Sequence, residues 1–246
     1  FKAATSGRRF GKALALDSPL PTPDGWTTMG DVRVGDRLFD ENGCVCSVTF
    51  ATEVQLGREC YEVEFSDGTV IVADADHLWL TWDKRYRKAL GRASVPESSP
   101  AVWSTREIAS TLWAVPDKEH NHSVPLAKPL DLPARRLPIP PYTLGAWLGD
   151  GNTNGPVLTC SPTDSQIVEE IISEGITVKR KRPSGDRTPT YLLGEAPARR
   201  DSLTGRMLPG GGMRSRLYDL GVAGKKHIPK VYLRSSVAQR TALLQG

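Results

Sequence analysis

The chain has 246 residues, of which 39% are hydrophobic and 24% charged, and a formal net charge of +4. That length suits one large domain or two ordinary ones at roughly 100–200 residues per domain, and the apolar content excludes wholesale disorder. No apolar run approaches the ~20 residues that span a bilayer, and the N-terminus is too polar for a secretory signal. A cytoplasmic location with no membrane partner is therefore expected. Cys44, Cys46, Cys60 and Cys160 do not form two C-x-x-C pairs, which argues against a zinc ribbon and predicts reduced, mostly buried thiols.

Residues 1–12 end in Gly11-Lys12 and read as the beginning of a phosphate-binding loop. Such a loop needs a hydroxyl residue directly after the lysine, and Ala13 stands there instead. The residues that follow, Leu14 to Pro19, do not continue as the helix whose N-terminus would hold phosphate. From Leu14 to about Thr81 the chain reads as β, with period-2 runs such as Ser47-Val48-Thr49-Phe50 and Cys60 to Phe65. The dipeptides Asp24-Gly25, Asn42-Gly43 and Asp67-Gly68 are hairpin-turn signals. Residues 83–100 are polar and basic, and Val102 to Val115 has a mixed pattern. Prolines at 116, 125, 129, 133, 138, 140 and 141 then predict an extended linker and a domain boundary.

Beyond the linker the pattern becomes α/β. An apolar helix spans Tyr142 to Gly151, followed by a strand over Val157–Cys160 and a helix from Ser161 to about Ser173. A strand over Ile176–Lys181, a helix over Arg214–Leu220 and a last helix from Ser235 to Gln245 complete the reading.

Ala13-Leu14-Ala15-Leu16-Asp17, a Gly-punctuated β region and the stretch from Gly68 to Trp79 together resemble the N-terminal splicing region of inteins. The resemblance implies a mainly β, horseshoe-like Hint splicing domain, and it places the splice junction at Lys12–Ala13. It also makes His77 the histidine that attends the scissile peptide. A histidine suits an acyl transfer in which the peptide nitrogen must be protonated to leave. Two residues depart from the common pattern: Ala13 carries no nucleophile, and Asp74 replaces the usual threonine three residues before the histidine. Trp79, two residues after His77, is similar to the marker of class 3 inteins. There a cysteine from a C-terminal block attacks the junction and a Thr or Ser follows the intein. None of the four cysteines occupies that place. The cysteine, the terminal His-Asn pair and the C-extein are expected beyond Gly246, in the C-terminal remainder that serves as partner. Ser6 to Lys12 resemble the ATPase loop of phage terminase large subunits. Splicing would restore the hydroxyl residue after Lys12, so one insertion accounts for both gaps.

Leu144-Gly145-Ala146-Trp147-Leu148-Gly149-Asp150-Gly151 is similar to the first motif of LAGLIDADG homing endonucleases. Gly145 and Gly149, four apart, would let two such helices pack backbone to backbone, and Asp150 would project toward DNA. Two acids of this kind can hold Mg2+ for phosphodiester hydrolysis. Pro140-Pro141-Tyr142, Gly224 to Leu233 and the helix from Gln239 to Gly246 fit the same family, the last as a second motif whose acid lies beyond the chain. Double-stranded DNA is the implied partner. Lys179, Lys181, Arg187, Lys225 and Lys226 are the candidate contacts, with Arg180, Arg182, Arg214 and Arg216 in the same group.

The expected organisation is thus an N-extein (1–12), a Hint domain (13–115), a Pro-rich linker (116–140) and part of an α/β LAGLIDADG endonuclease (141–246). The alternatives are a free-standing LAGLIDADG endonuclease with a β accessory domain, or a P-loop ATPase fragment carrying an inert insertion. The chain alone, lacking the cysteine, the His-Asn pair and the second acid, is expected neither to splice nor to cut DNA.

Overall fold

The computed structural model describes residues 4–5, 13–90, 100–114, 119–181, 188–194 and 212–246. The chain divides into two units, residues 1–131 and 132–246.

The first unit is built from short antiparallel pairs. β1 (Ala4–Thr5), β2 (Pro19–Thr22), β3 (Gly25–Thr28), β4 (Arg37–Phe39), β5 (Val45–Ser47) and β6 (Phe50–Ala51) pair as β1–β6, β2–β3 and β4–β5. β7 (Cys60–Glu64) and β8 (Val70–Asp74) form the longest of these hairpins, and β9 (Leu78–Thr81) leads into α1 (Lys84–Leu90). β10 (Ala101–Ser104) pairs with β9, and then come α2 (Thr105–Ser110) and the hairpin β11 (Trp113–Ala114) with β12 (Glu119–His120). Met29, Val32 and Val48 are buried together, with Leu14, Leu20 and Leu38 packed on them.

Turn chemistry explains much of this layout, with adjustments. The β2–β3 turn is Pro23-Asp24, one residue earlier than the Asp24-Gly25 reading, because Thr22 pairs with Gly25 and its Oγ1 accepts from Gly25 N (3.0 Å). Gly43 has φ +76°, and a Cβ there would overlap the Pro129 carbonyl. Backbone contact with 128–131, through Asp131 N donating to Gly43 O (2.7 Å), therefore requires glycine at this position. The start of the expected linker belongs to this unit, since Ser123 N donates to Trp82 O and Asn121 N to Leu112 O. The polar stretch after Asp83 contains α1, which the sequence reading did not include. The four cysteines are free, but only Cys160 is buried; Cys44 is exposed because it sits in the loop between β4 and β5.

The second unit places helices against a three-stranded sheet. Its elements are α3 (Pro141–Asp150), β13 (Val157–Thr159), α4 (Ser165–Ser173), β14 (Val178–Lys181), β15 (Thr190–Leu193), α5 (Met213–Asp219), α6 (Lys230–Leu233) and α7 (Val237–Gln245). The sheet order is β13-β15-β14, all antiparallel, with β15 in the middle. β15 and α6 are additions to the sequence reading. One continuous core runs through Ile139, Leu144, Trp147, Leu158, Ile171, Leu193, Leu217, Tyr232 and Leu243. Tyr232 ties residue 139 into it, donating its hydroxyl to Ile139 O (2.7 Å) and accepting from Ile139 N (3.0 Å). Burial outweighs the hydrogen bond to Ile139 and pushes the Tyr232 hydroxyl up to about 12.

Candidate splice-junction site and candidate DNA-facing helix

The segment after residue 12 runs as a further strand along β8. Leu14 bridges Ala73 antiparallel, Asp74 N donates to Ala13 O (3.0 Å), and Ala15 N donates to Val72 O (3.0 Å). Ala13 thereby stands opposite Asp74, and opposed residues share one face of a ladder. Both are 1% exposed. On the other side of β8, Cys60 is the register partner of Asp74. Lys12, the other half of the expected junction, lies outside the described residues.

At the end of β8 the chain turns, and His77 N donates to Asp74 O (3.1 Å). Asp74 therefore uses its N–H on the junction strand and its C=O on the turn that presents His77. The carbonyl of His77 accepts from Thr105 N (2.9 Å) and Thr105 Oγ1 (3.3 Å), and Trp79 Nε1 donates to Thr105 Oγ1 (2.9 Å). The His77 and Trp79 rings meet edge-on at 4.8 Å between centroids, with Phe65 6.1 Å from Trp79. Thr105 is buried at the first turn of α2. It is fixed there by a capping box in which Ser104 Oγ accepts from Glu107 N (3.3 Å) and Glu107 Oε2 accepts from Ser104 N (2.7 Å). Those bonds hold the exposed Glu107 carboxyl below its ordinary range. Sequence reasoning passed over Thr105, although the Ser104-x-x-Glu107 pattern that positions it was available.

Charges surround the turn. Arg58 sits with Nε 2.8 Å from Asp74 Oδ2 and Nη2 2.9 Å from Asp76 Oδ2, while Arg106 pairs with Glu59 (2.7 Å). The Arg58–Asp74 distance is that of an ion pair, yet among the described residues neither Asp74 oxygen has a hydrogen-bond partner. The two observations agree if the attraction is chiefly between charges, with the N–H misaligned. Burial, and next the Asp74 carboxylate, pushes the Cys60 thiol up.

In the second unit, α3 and α7 touch through their backbones. A Cβ on Gly145 would overlap the Leu243 carbonyl, and one on Gly246 the Tyr142 carbonyl. Gly149 has open space around it, so the close approach uses Gly145 and Gly246 rather than the expected pair Gly145 and Gly149. The reason is that the contact lies toward the N-terminal half of α3. Asp150 ends the helix exposed, while Trp147 is buried with Nε1 donating to Gly155 O (2.8 Å). Lys226 is drawn to the same end, with Nζ donating to Gly149 O (3.2 Å) and standing 5.2 Å from the Trp147 ring centroid. Burial pushes its ammonium down, against the opposing pull of Asp150. Lys226 is thus engaged with the end of α3, unlike Lys225, which is exposed.

On β14, Lys179 and Lys181 share one face by strand alternation, opposite Leu192 and Thr190 of β15, and both are exposed. Arg180 points to the other face. Arg214 is turned back on Asn154 O (3.4 Å) and Arg216 on Pro138 O (3.2 Å). Arg182 and Arg187 lie outside the described residues. Among the described residues no group of three or more His, Cys, Asp or Glu side chains could hold a metal ion. Asp150 offers one carboxylate where Mg2+ takes a near-octahedral set of oxygens, so these residues do not by themselves make a Mg2+ site. No helix among the described residues is long and apolar enough to cross a membrane.

No family model matches the chain. The replicative DNA helicase DnaB of Mycobacterium intracellulare is 45% identical over 244 residues, which cover 96% of this chain and 37% of that protein. The DnaB helicase of Mycobacterium leprae (strain TN) is 69% identical over 71 residues, 29% of this chain and 12% of that protein. The chain therefore spans well under two thirds of the curated relatives it matches. Among solved structures, the MchDnaB-1 intein is 70% identical, covering 28% of this chain and 53% of its own, with a TM-score of 0.28. The Msm DnaB1 intein splicing domain bound with zinc is 67% identical over 28% of this chain and 54% of its own, also with a TM-score of 0.28. Both helicase names point to DnaB and neither to a terminase.

Proposed function

We propose that the first unit is the N-terminal part of a class 3-like intein splicing domain of the Hint fold that is cleaved at Lys12–Ala13. The observation that carries this reading is the attachment of Ala13 and Ala15 to β8, the strand whose terminal turn carries His77. His77 protonates the leaving nitrogen of Ala13, Trp79 shapes the pocket, and a downstream cysteine supplies the nucleophile that Ala13 lacks. The host is proposed to be a DnaB-type replicative helicase, whose phosphate-binding loop the insertion interrupts, in place of the terminase that residues 6–12 resemble. The test is splicing of the full-length precursor followed by mass spectrometry. His77→Ala should abolish cleavage at Lys12–Ala13, and retained cleavage at that bond would refute the assignment.

The second unit is proposed as part of a LAGLIDADG homing endonuclease acting on double-stranded DNA. Support comes from the backbone contact of α3 with α7 at Gly145 and from the exposed Asp150 at the helix end. Asp150 would hold Mg2+ together with an acid from a second motif, and Lys179, Lys181 and Lys225 would meet phosphates, with Lys226 near the metal. Arg187 joins them by sequence alone. Metal-dependent cutting of intein-free host DNA by the full-length protein, lost in Asp150→Asn, is the expected result. Cutting that survives Asp150→Asn would refute the role given to Asp150.

A further inference from the structure

We propose that Arg136 and Arg216 form a binding site for a phosphoester in the second unit, at the end of α3 opposite Asp150. The inference depends on neither the splice-junction reading nor the endonuclease reading. A cleft of about 410 Å3 is lined by Arg136, Leu137, Pro138 and Arg216. A volume in that range admits a phosphate together with the group that carries it. Leu137 and Pro138 lead into the start of α3, and Asp150 closes its far end, about 15 Å along a ten-residue helix. The cleft is therefore separate from the place proposed for cutting DNA.

The backbone that carries Arg136 is clamped on both sides. Arg135 N donates to Gln239 Oε1 (3.0 Å), Gln239 Nε2 donates to Arg135 O (2.7 Å), and the Tyr232 hydroxyl bonds both Ile139 N and Ile139 O. Arg216 approaches from α5, with Nη1 donating to Pro138 O (3.2 Å). A guanidinium has five N–H donors, so that bond fixes its position and leaves others for a ligand. Among the described residues neither Arg136 nor Arg216 forms an ion pair. Glu174 and Arg216 both act on the Tyr232 hydroxyl, but Glu174 is engaged by α3. It accepts from Tyr142 N (3.1 Å), Thr143 N (2.7 Å) and Thr143 Oγ1 (2.7 Å). Asp219, one turn along α5 from Arg216, accepts from Ser215 Oγ (3.4 Å). Two like charges lining one cleft repel, and an anion between them turns that repulsion into attraction. The planar guanidinium fork matches two oxygens of a phosphate, while Leu137 and Pro138 offer an apolar wall to an attached sugar or base. A free nucleotide and a nucleic-acid backbone share this chemistry.

The experiment titrates the full 246-residue chain with adenosine monophosphate and with duplex DNA of random sequence. Calorimetry reads affinity, and the arginine Nε–H signals in NMR read location. Adenosine monophosphate should bind and shift the signals of Arg136 and Arg216. Arg136→Ala and Arg216→Lys should each weaken it about tenfold, the effect of losing a hydrogen bond to a charged group. Arg136 is exposed, so Arg136→Ala carries the test alone if Arg216→Lys fails to fold by circular dichroism. If the same variants also weaken the duplex, with the salt slope reduced by about one phosphate contact, the source is a nucleic-acid backbone. If they weaken only the monophosphate, the source is a free nucleotide. Lys179→Ala with Lys181→Ala, on the proposed DNA face, should weaken the duplex and leave the monophosphate unchanged. Failure of that control bears on the DNA face and not on the cleft. No binding of either probe, or binding that Arg136→Ala leaves unchanged, overturns the proposal.

Discussion

The two units are held together in different ways. The second has a continuous apolar core from Ile139 to Leu243, with two helices brought into backbone contact by glycines. The first has a small cluster around Met29, Val32 and Val48, while Asp74, Thr81, Lys84 and Thr105 are buried polar groups. Its order comes from short ladders and from side chains that reach across loops to backbone atoms. The proposed splice junction would be well served by such a frame, because Ala13 and the turn that carries His77 both bond to the backbone of Asp74. A helix pair that presents an acid needs only shape. Sensitivity to mutation should therefore follow volume in the second unit and hydrogen-bond partners in the first.

The largest effect is expected where shape is tightest. Gly145→Val should destabilise the second unit by about 3 kcal/mol, the upper range for overpacking, because its Cβ would meet the Leu243 carbonyl. Gly149→Ala, in open space, should be neutral or stabilising by up to about 1 kcal/mol through helix propensity. Urea unfolding followed by tryptophan fluorescence reads both, and equal losses for the two would break the contrast. In the first unit, Thr105→Val keeps volume but removes the acceptor for Trp79 Nε1 and a donor to His77 O. A loss of about 1–3 kcal/mol is expected, because a half-buried indole N–H is left unpaired. Stability within error of the parent would show that the first unit, too, is governed by packing.

A pH effect follows from His122. Its Nε2 lies 2.8 Å from Thr111 Oγ1 and 3.4 Å from Asn121 Nδ2, and its Nδ1 lies 3.1 Å from Thr81 Oγ1. Burial lowers the His122 pKa below its ordinary value, and Arg87 lowers it further against an opposing pull from Asp83. Because the folded value is the lower one, the unfolded chain takes up the proton first as pH falls. The contribution is complete above about pH 6.5, the unfolded value, and is lost between there and the folded value. Thermal melts at pH 7.5 and 5 should show this, with a smaller drop in His122→Gln; an equal drop in that variant would assign the effect elsewhere. The smallest expected effect is Lys226→Met, which removes a cation–π contact of about 0.5–1 kcal/mol and should also expose Asp150 to a different charge balance. Chemical unfolding of the second unit measures it, and no change would mean that the Lys226–Trp147 contact is as weakly held as a surface ion pair.

The sequence carried some of this architecture in local form. The hairpin at Asp67-Gly68 forms as read, with Phe65 N donating to Thr69 O (2.9 Å) and Asp67 Oδ1 accepting from Thr69 N (2.9 Å). The apolar helix with Asp150 at its end also forms as read, shifted by one residue to Pro141–Asp150. β15 was missed because its run is short and flanked by Pro189 and Gly194, and its stability comes from lying between β13 and β14. Lys226 reads in the sequence as one more candidate phosphate contact, since nothing local says that a lysine will fold over Trp147.

Local chemistry thus determined the turns, the helix with its small residues, and the order of residues from Asp74 through His77 to Trp79. These depend on backbone preferences and side-chain periods that act over a few positions. Tertiary structure alone decided that Ala13 faces Asp74, that Thr105 holds both His77 and Trp79, and that Gly145 rather than Gly149 meets Leu243. Each of these contacts joins segments far apart in the chain, and only the register of strands and helices brings them together.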